Sequence, residues 1–117
     1  MGVLLYGDNE AIIEEGASET DIFKLLSTEP GLVVFKGGRE VGRITNPGEF
    51  FGEMASVLGK VRSATIISKG SSVIQAYSAD NIQDMIEEHP EIAKRIIRTL
   101  AKRLSQATRE ITRLKKE

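Results

Sequence analysis

Cysteine and tryptophan are absent from the chain, and histidine occurs once, as His89. Without cysteine there is no disulfide, no thiolate nucleophile and no cysteine-based zinc site. A single histidine excludes a histidine-cluster metal site and leaves little for histidine-based catalysis. Four Phe and two Tyr are the only aromatics, so the core must be mainly aliphatic. No apolar run approaches the about 18 residues of a membrane span. The opening MGVLLYGDNE lacks the basic region and long apolar run of a signal peptide. These absences lead to the expectation of a cytoplasmic protein with no membrane span and no metal or catalytic centre.

What is present suits one domain over residues 1–117, with 40% apolar and 28% charged residues. The net charge of −1 conceals an asymmetry. Residues 1–89 carry seven Lys/Arg against fourteen Asp/Glu, whereas residues 90–117 carry nine against three. A basic tail on an acidic body fits nucleic-acid contact, a dimer seam or solvated helix faces.

Residues 1–78 read as short strands and turns. Strand candidates are 11–13, 22–26, 32–35, 41–44, 65–67 and 73–77. Lys36-Gly37-Gly38 marks a hairpin, Asn46-Pro47-Gly48 a break, and Lys69-Gly70-Ser71-Ser72 a further turn. Many short strands at regular spacing predict an antiparallel sandwich or barrel. Residues 79–117 change period. Ala79-Asp80-Asn81 offers a cap, and Ile82, Met85 and Ile86 follow at helical spacing. Pro90 opens a second helix that extends to Leu114. Within it Ile97, Leu100, Leu104, Ala107, Ile111 and Leu114 are spaced 3, 4, 3, 4, 3, a heptad seam that predicts a homodimer. A second stripe, Ile92, Ile96 and Leu100, faces the body.

The chemistry concentrates in PGEFFGEMA, residues 47–55, and RSAT, residues 62–65. Gly52 allows backbone to approach a ligand closely. Residues 53–58 suffice for one or two helical turns, whose free N–H groups attract an anion. Arg62 adds a fork of donors that matches two phosphate oxygens, and Ser63 a hydroxyl. Glu53 beside a phosphate makes sense if it turns away to accept a sugar hydroxyl. The blander readings are a surface ion pair for Arg62 with Glu49 or Glu53, and a first-turn acid that complements the helix dipole for Glu53. Phosphate and sugar together point to a nucleotide. No Walker or GxGxxG motif argues for ATP or a dinucleotide.

FGEMA followed by RSAT resembles the phosphate-binding cassette of the cyclic-nucleotide-binding domains. That family includes catabolite-activator-like regulators, the regulatory subunits of cAMP-dependent kinase and cyclic-nucleotide-gated channels. Supporting matches are Ile13-x-x-Gly16, Gly38-Arg39-Glu40-Val41-Gly42, His89-Pro90-Glu91-Ile92-Ala93 and Leu100-Ala101-Lys102-Arg103-Leu104. The resemblance implies an eight-stranded, jelly-roll-like β-roll over residues 1–78, with the cassette at 47–65, and helices over 79–117. It implies that Glu53 binds the ribose 2′-hydroxyl. Arg62, Ser63, Ala64 and the backbone of Gly52, Glu53, Met54 and Ala55 would surround the cyclic phosphate. Val34 and Val41 would line the base pocket, and Arg103 and Thr108 would reach the purine from the long helix. Ser63, where other members carry Thr, resembles the cAMP-preferring ones, so cAMP is expected over cGMP.

The sequence departs from the family's pattern in several places. The turn at residues 27–31 is longer than usual. Ala107 stands where a base-contacting Thr is often found. No DNA-binding or other output module is expected in this chain. A regulatory module, not an enzyme, is therefore the expectation. The alternative is a structural dimeriser of the same fold, and nucleic-acid binding by the basic helix is the weakest reading.

Overall fold

The computed structural model describes residues 2–116, the side chain of Lys116 excepted; Met1 and Glu117 lie outside the described residues. The strands are β1 (Gly2–Tyr6), β2 (Ala11–Ile13), β3 (Ile22–Lys36), β4 (Arg39–Ile44), β5 (Phe50–Phe51) and β6 (Thr65–Tyr77). The helices are α1 (Glu53–Leu58), between β5 and β6, then α2 (Ile82–Glu88) and α3 (Pro90–Lys116). The strands form one antiparallel sheet in the order β1-β6-β3-β4, with β2 paired to β6 and β5 to β3. This is the expected β-roll with a long C-terminal helix.

β3 and β6 each replace two strands of the sequence reading. They pair from Ile22 with Tyr77 to Phe35 with Thr65, straight through the residues read as turns. Counted as halves, these two long strands bring the described strands to the expected eight. The polar residues tolerate burial there because they satisfy one another. Thr28 Oγ1 and Ser68 Oγ both lie within hydrogen-bond distance of Ser72 Oγ, at 2.9 and 2.7 Å. Gly70 sits inside β6 opposite Pro30, with φ 69°. The hairpin at Gly37 and Gly38 forms where expected, both glycines at positive φ. β1 and β5 have no counterpart in the sequence reading. Val3, Leu4 and Leu5 are consecutive and all exposed, so they carry no alternation, and β5 is two residues long.

The apolar interior falls into two clusters. The first lies inside the roll and holds Ile13, Phe23, Leu25, Leu32, Ile44, Phe51, Ile66 and Ile74. The second joins the helices to the roll through Ile22, Ala79, Met85, Ile92, Ala93 and Ile96, with Phe50, Val57, Tyr77 and Leu100 packed on it. Ile92, Ile96 and Leu100 thus face the body as their spacing predicts. Asn81 caps α2, its side chain accepting from the Asp84 N–H at 2.9 Å. His89 joins α2 to α3. Its carbonyl accepts from the Ala93 N–H, and its ring meets Tyr77 edge-on and the Ser78 carbonyl at 3.2 Å. It is a junction residue. Residues 101–115 are exposed throughout, including Leu104, Ala107, Ile111 and Leu114. Among the described residues no helix is long and apolar enough to cross a membrane.

Candidate functional site

The sequence of α1 explains its position. Gly48 follows Pro47 into a turn at φ 91°, and β5 then pairs Phe50 and Phe51 with Lys24 and Phe23 of β3. The Phe23 and Phe51 rings stack at 5.5 Å. The chain must next leave the sheet abruptly, and Gly52 permits this at φ 81°, ψ 6°. No side chain caps the helix that follows, so its first N–H groups are uncapped. Gly59 closes it in the same left-handed conformation. Ser56 is buried and donates its hydroxyl to the Ala79 carbonyl at 2.9 Å, tying α1 to the segment between β6 and α2.

Arg62 is fixed at both ends. Its backbone N–H donates to the Ala17 carbonyl, and its own carbonyl accepts from Gly16, each at 2.8 Å. The residue is only 5% exposed. Nη1 donates to the Gly52 carbonyl at 2.7 Å, Nη2 to the Asp21 carbonyl at 2.8 Å, and the guanidinium lies over the Phe23 ring. Burial pulls its pKa below the ordinary arginine value, and the charges of Glu19, Asp21 and Glu53 oppose that pull. A guanidinium carries five N–H donors and stays protonated, so this fork keeps donors for another acceptor.

These elements surround a cavity of about 630 Å³. Nine of the eleven residues singled out in the sequence line it: Val34, Gly52, Glu53, Met54, Ala55, Arg62, Ser63, Ala64 and Arg103. Glu53 is buried, and its Oε1 lies 3.7 Å from Arg103 Nη1 of α3. Val41 and Thr108 are not among the lining residues. Val34 pairs with Gly42 and Phe35 with Glu40, so Val41 is the extra residue of a bulge and its side chain turns out, 60% exposed. Thr108 lies on the exposed part of α3 and donates its hydroxyl to the Leu104 carbonyl. The lining also includes residues the sequence did not single out. Lys36 follows Val34 by two along β3, a spacing that places both on one face. Arg43 and Lys60 line the cavity without any comparable signal, and Glu49, read in the sequence only as an ion-pair partner for Arg62, lines it too. The described residues hold no acidic or histidine cluster that would take a metal.

The site is a half-open chamber with a buried cation, uncapped helix amides and a buried carboxylate on its walls. The model of the cyclic nucleotide-binding domain matches residues 3–89. The chain belongs to that family. A cyclic nucleotide-binding domain is regulatory rather than catalytic, and the fold agrees with solved examples. The catabolite activator protein of Thermus thermophilus superposes with a TM-score of 0.76 at 25% identity, over 97% of this chain and 54% of that one. PfPKA-R in its cAMP-bound form gives 0.67 at 25%, over 90% and 36%. PKAR CBD2 bound to Sp-2Cl-cAMPS gives 0.61 at 26%, over 86% and 71%. The chain thus spans about half the length of the Thermus protein and about a third of PfPKA-R. A search of the curated proteins found no match.

Proposed function

We propose that this cyclic nucleotide-binding domain is a sensor that holds cAMP in preference to cGMP and reports occupancy through α3. One observation carries the reading: Arg62 is buried in the wall of a chamber with donors to spare. The ligand's cyclic phosphate meets Arg62, Ser63 and the uncapped amides around Gly52, Met54 and Ala55, next to Ala64. Glu53 accepts the ribose 2′-hydroxyl, and the base lies along Val34 toward Arg103. A single guanidinium suits a monoanionic phosphodiester. Ser63 and the cAMP-type ligands of two relatives support adenine. The unit is one domain over residues 1–117, a ligand-binding roll at 1–78 and a reporting segment at 79–117.

The test is calorimetric titration with cAMP and cGMP, with melting curves beside it. A ligand at 100 times its Kd stabilises by about 2.7 kcal/mol, enough to raise Tm by several degrees in a domain of this size. The expected result is such a rise with cAMP and a smaller one with cGMP at equal concentration. No rise with either ligand favours the structural dimeriser.

A homodimer through α3 completes the proposal. Ile97, Leu104, Ile111 and Leu114 are 54–69% exposed in the single chain. Leu100 and Ala107 belong to the same seam. In such a dimer Thr108 serves the partner's site. Sedimentation velocity is expected to give a dimer for the wild type and a monomer for a Leu104→Lys, Ile111→Lys double variant. An unchanged sedimentation coefficient in the variant removes the seam from the interface.

A further inference from the structure

Arg103 enters the chamber from α3 beside two carboxylates and is in contact with only one of them. Glu53 Oε1 is 3.7 Å from Arg103 Nη1, long beside the about 2.7–2.9 Å of a charge-assisted hydrogen bond. Glu49 lines the same chamber and has no ion-pair partner among the described residues. With Phe50 and Glu53 it forms the wall between that chamber and a smaller one of about 110 Å³. The far side of the smaller chamber is α3, at Arg95, Ile96 and Thr99. A half-buried carboxylate without a partner thus stands between the ligand chamber and the helix proposed to report on it.

We infer that Glu49 is a positioning residue that takes over Arg103 when a sugar hydroxyl occupies Glu53, so that α3 stays fastened to the chamber wall in the ligand-bound protein. The inference rests on the proposed function. A hydroxyl on Glu53 shares the carboxylate with the guanidinium, which already stands off at 3.7 Å. The long Arg103 contact is the weaker of the two and is easily given up. Glu49 is the other acceptor on the same wall, and the exchange keeps Arg103 paired.

The exchange has a proton signature. Burial pushes the Glu49 carboxyl above its ordinary value, the charge of Arg103 opposes that push, and a smaller repulsion from Glu53 adds to it. The other charged groups that line the two chambers are Arg95 on α3, Lys36 on β3, Arg43 on β4, and Lys60 and Arg62 between α1 and β6. Closer pairing with Arg103 lowers the Glu49 pKa on binding, so the bound protein releases a proton. Affinity for cAMP then rises with pH through the range where Glu49 titrates in the free protein, and levels off above it.

The test is titration of cAMP into wild type, Glu49→Gln, Arg103→Ala and the double variant, from about pH 4.5 to 7.5. Melting curves check that each variant is folded. The expected result is about a fivefold loss of affinity in each single variant, the low end of ordinary coupling between sites. The double variant is expected to be no weaker than Arg103→Ala, and Glu49→Gln to lose the pH slope attributable to Glu49. Losses that multiply in the double variant, or an unchanged pH slope in Glu49→Gln, overturn the exchange. Wild type that binds no cyclic nucleotide overturns the proposed function as well, which separates the two failures.

Discussion

Replacing Arg62 by Ala is expected to abolish high-affinity cAMP binding while the chain still folds. Loss of one partner of a buried charge pair costs roughly 2–5 kcal/mol of affinity, or about 30-fold to several thousand-fold. The same substitution strips the Gly52 and Asp21 carbonyls of their donor. Buried acceptors left without donors cost about 1–3 kcal/mol each, less where water reaches them. The open chamber beside Gly52 admits water, so the folded state should survive with a lowered Tm. Arg62→Lys separates the two roles. A lysine keeps the charge but has no planar fork to span two carbonyls, so it should recover part of the affinity and little of the stability. Calorimetry and thermal melts of both variants check this. Wild-type affinity in Arg62→Ala would remove the guanidinium from the site.

Gly70→Ala is expected to do the opposite, damaging stability and sparing the site. An added Cβ at residue 70 would lie 2.0 Å from the Glu29 carbonyl oxygen and 2.9 Å from Pro30 Cδ. The first of these is backbone, so a strand has to move. The residue also sits at φ 69°, where a side chain is strained. Strain of about 1–3 kcal/mol and overpacking of about 1–3 kcal/mol together predict a loss of several kcal/mol. That is a large share of the 5–15 kcal/mol typical of a domain. Gly70 does not line the chamber. The fraction that folds at low temperature should therefore bind cAMP with wild-type affinity. Urea unfolding with and without ligand measures both quantities. A midpoint within error of wild type would mean that β3 yields more easily than its pairing suggests.

The contrast between these two residues marks what the sequence made legible. Arg62 stands out because FGEMA and RSAT are local patterns whose residue types state their own chemistry. The helical residues stand out because period 3.6 is visible within a few turns, and Asn81 and Pro90 announce the starts of α2 and α3. Gly70 reads as a turn because its neighbours are Lys and Ser. Only the pairing of β6 with β3 shows that it lies within a strand, and that pairing joins residues some forty apart. The same distance hides Asp21 and Phe23 as the holders of Arg62. Val41 fails for a different reason. Alternation assigns strand faces only while the ladder is regular, and the bulge between Val34 and Phe35 resets it. Glu49 lies within PGEFFGEMA, but nothing in that pattern tells that it shares a chamber wall with Arg103 of α3.

The two apolar clusters set an energetic boundary inside this small chain. The interior of the roll is complete without α2 and α3, because none of their side chains belongs to it. The buried members of the helical cluster are Ile22 and Ala79 from the roll's end and four residues of α2 and α3, with Phe50 and Tyr77 of the roll packed on them. Tilting or partly detaching α3 therefore opens the smaller cluster and withdraws Arg103 from the chamber wall, while the stacked Phe23 and Phe51 stay packed inside the roll. Regions that open separately do so at a fraction of the global unfolding cost. The greasy side chains are thus apportioned so that the interior of the roll does not depend on how α3 is seated.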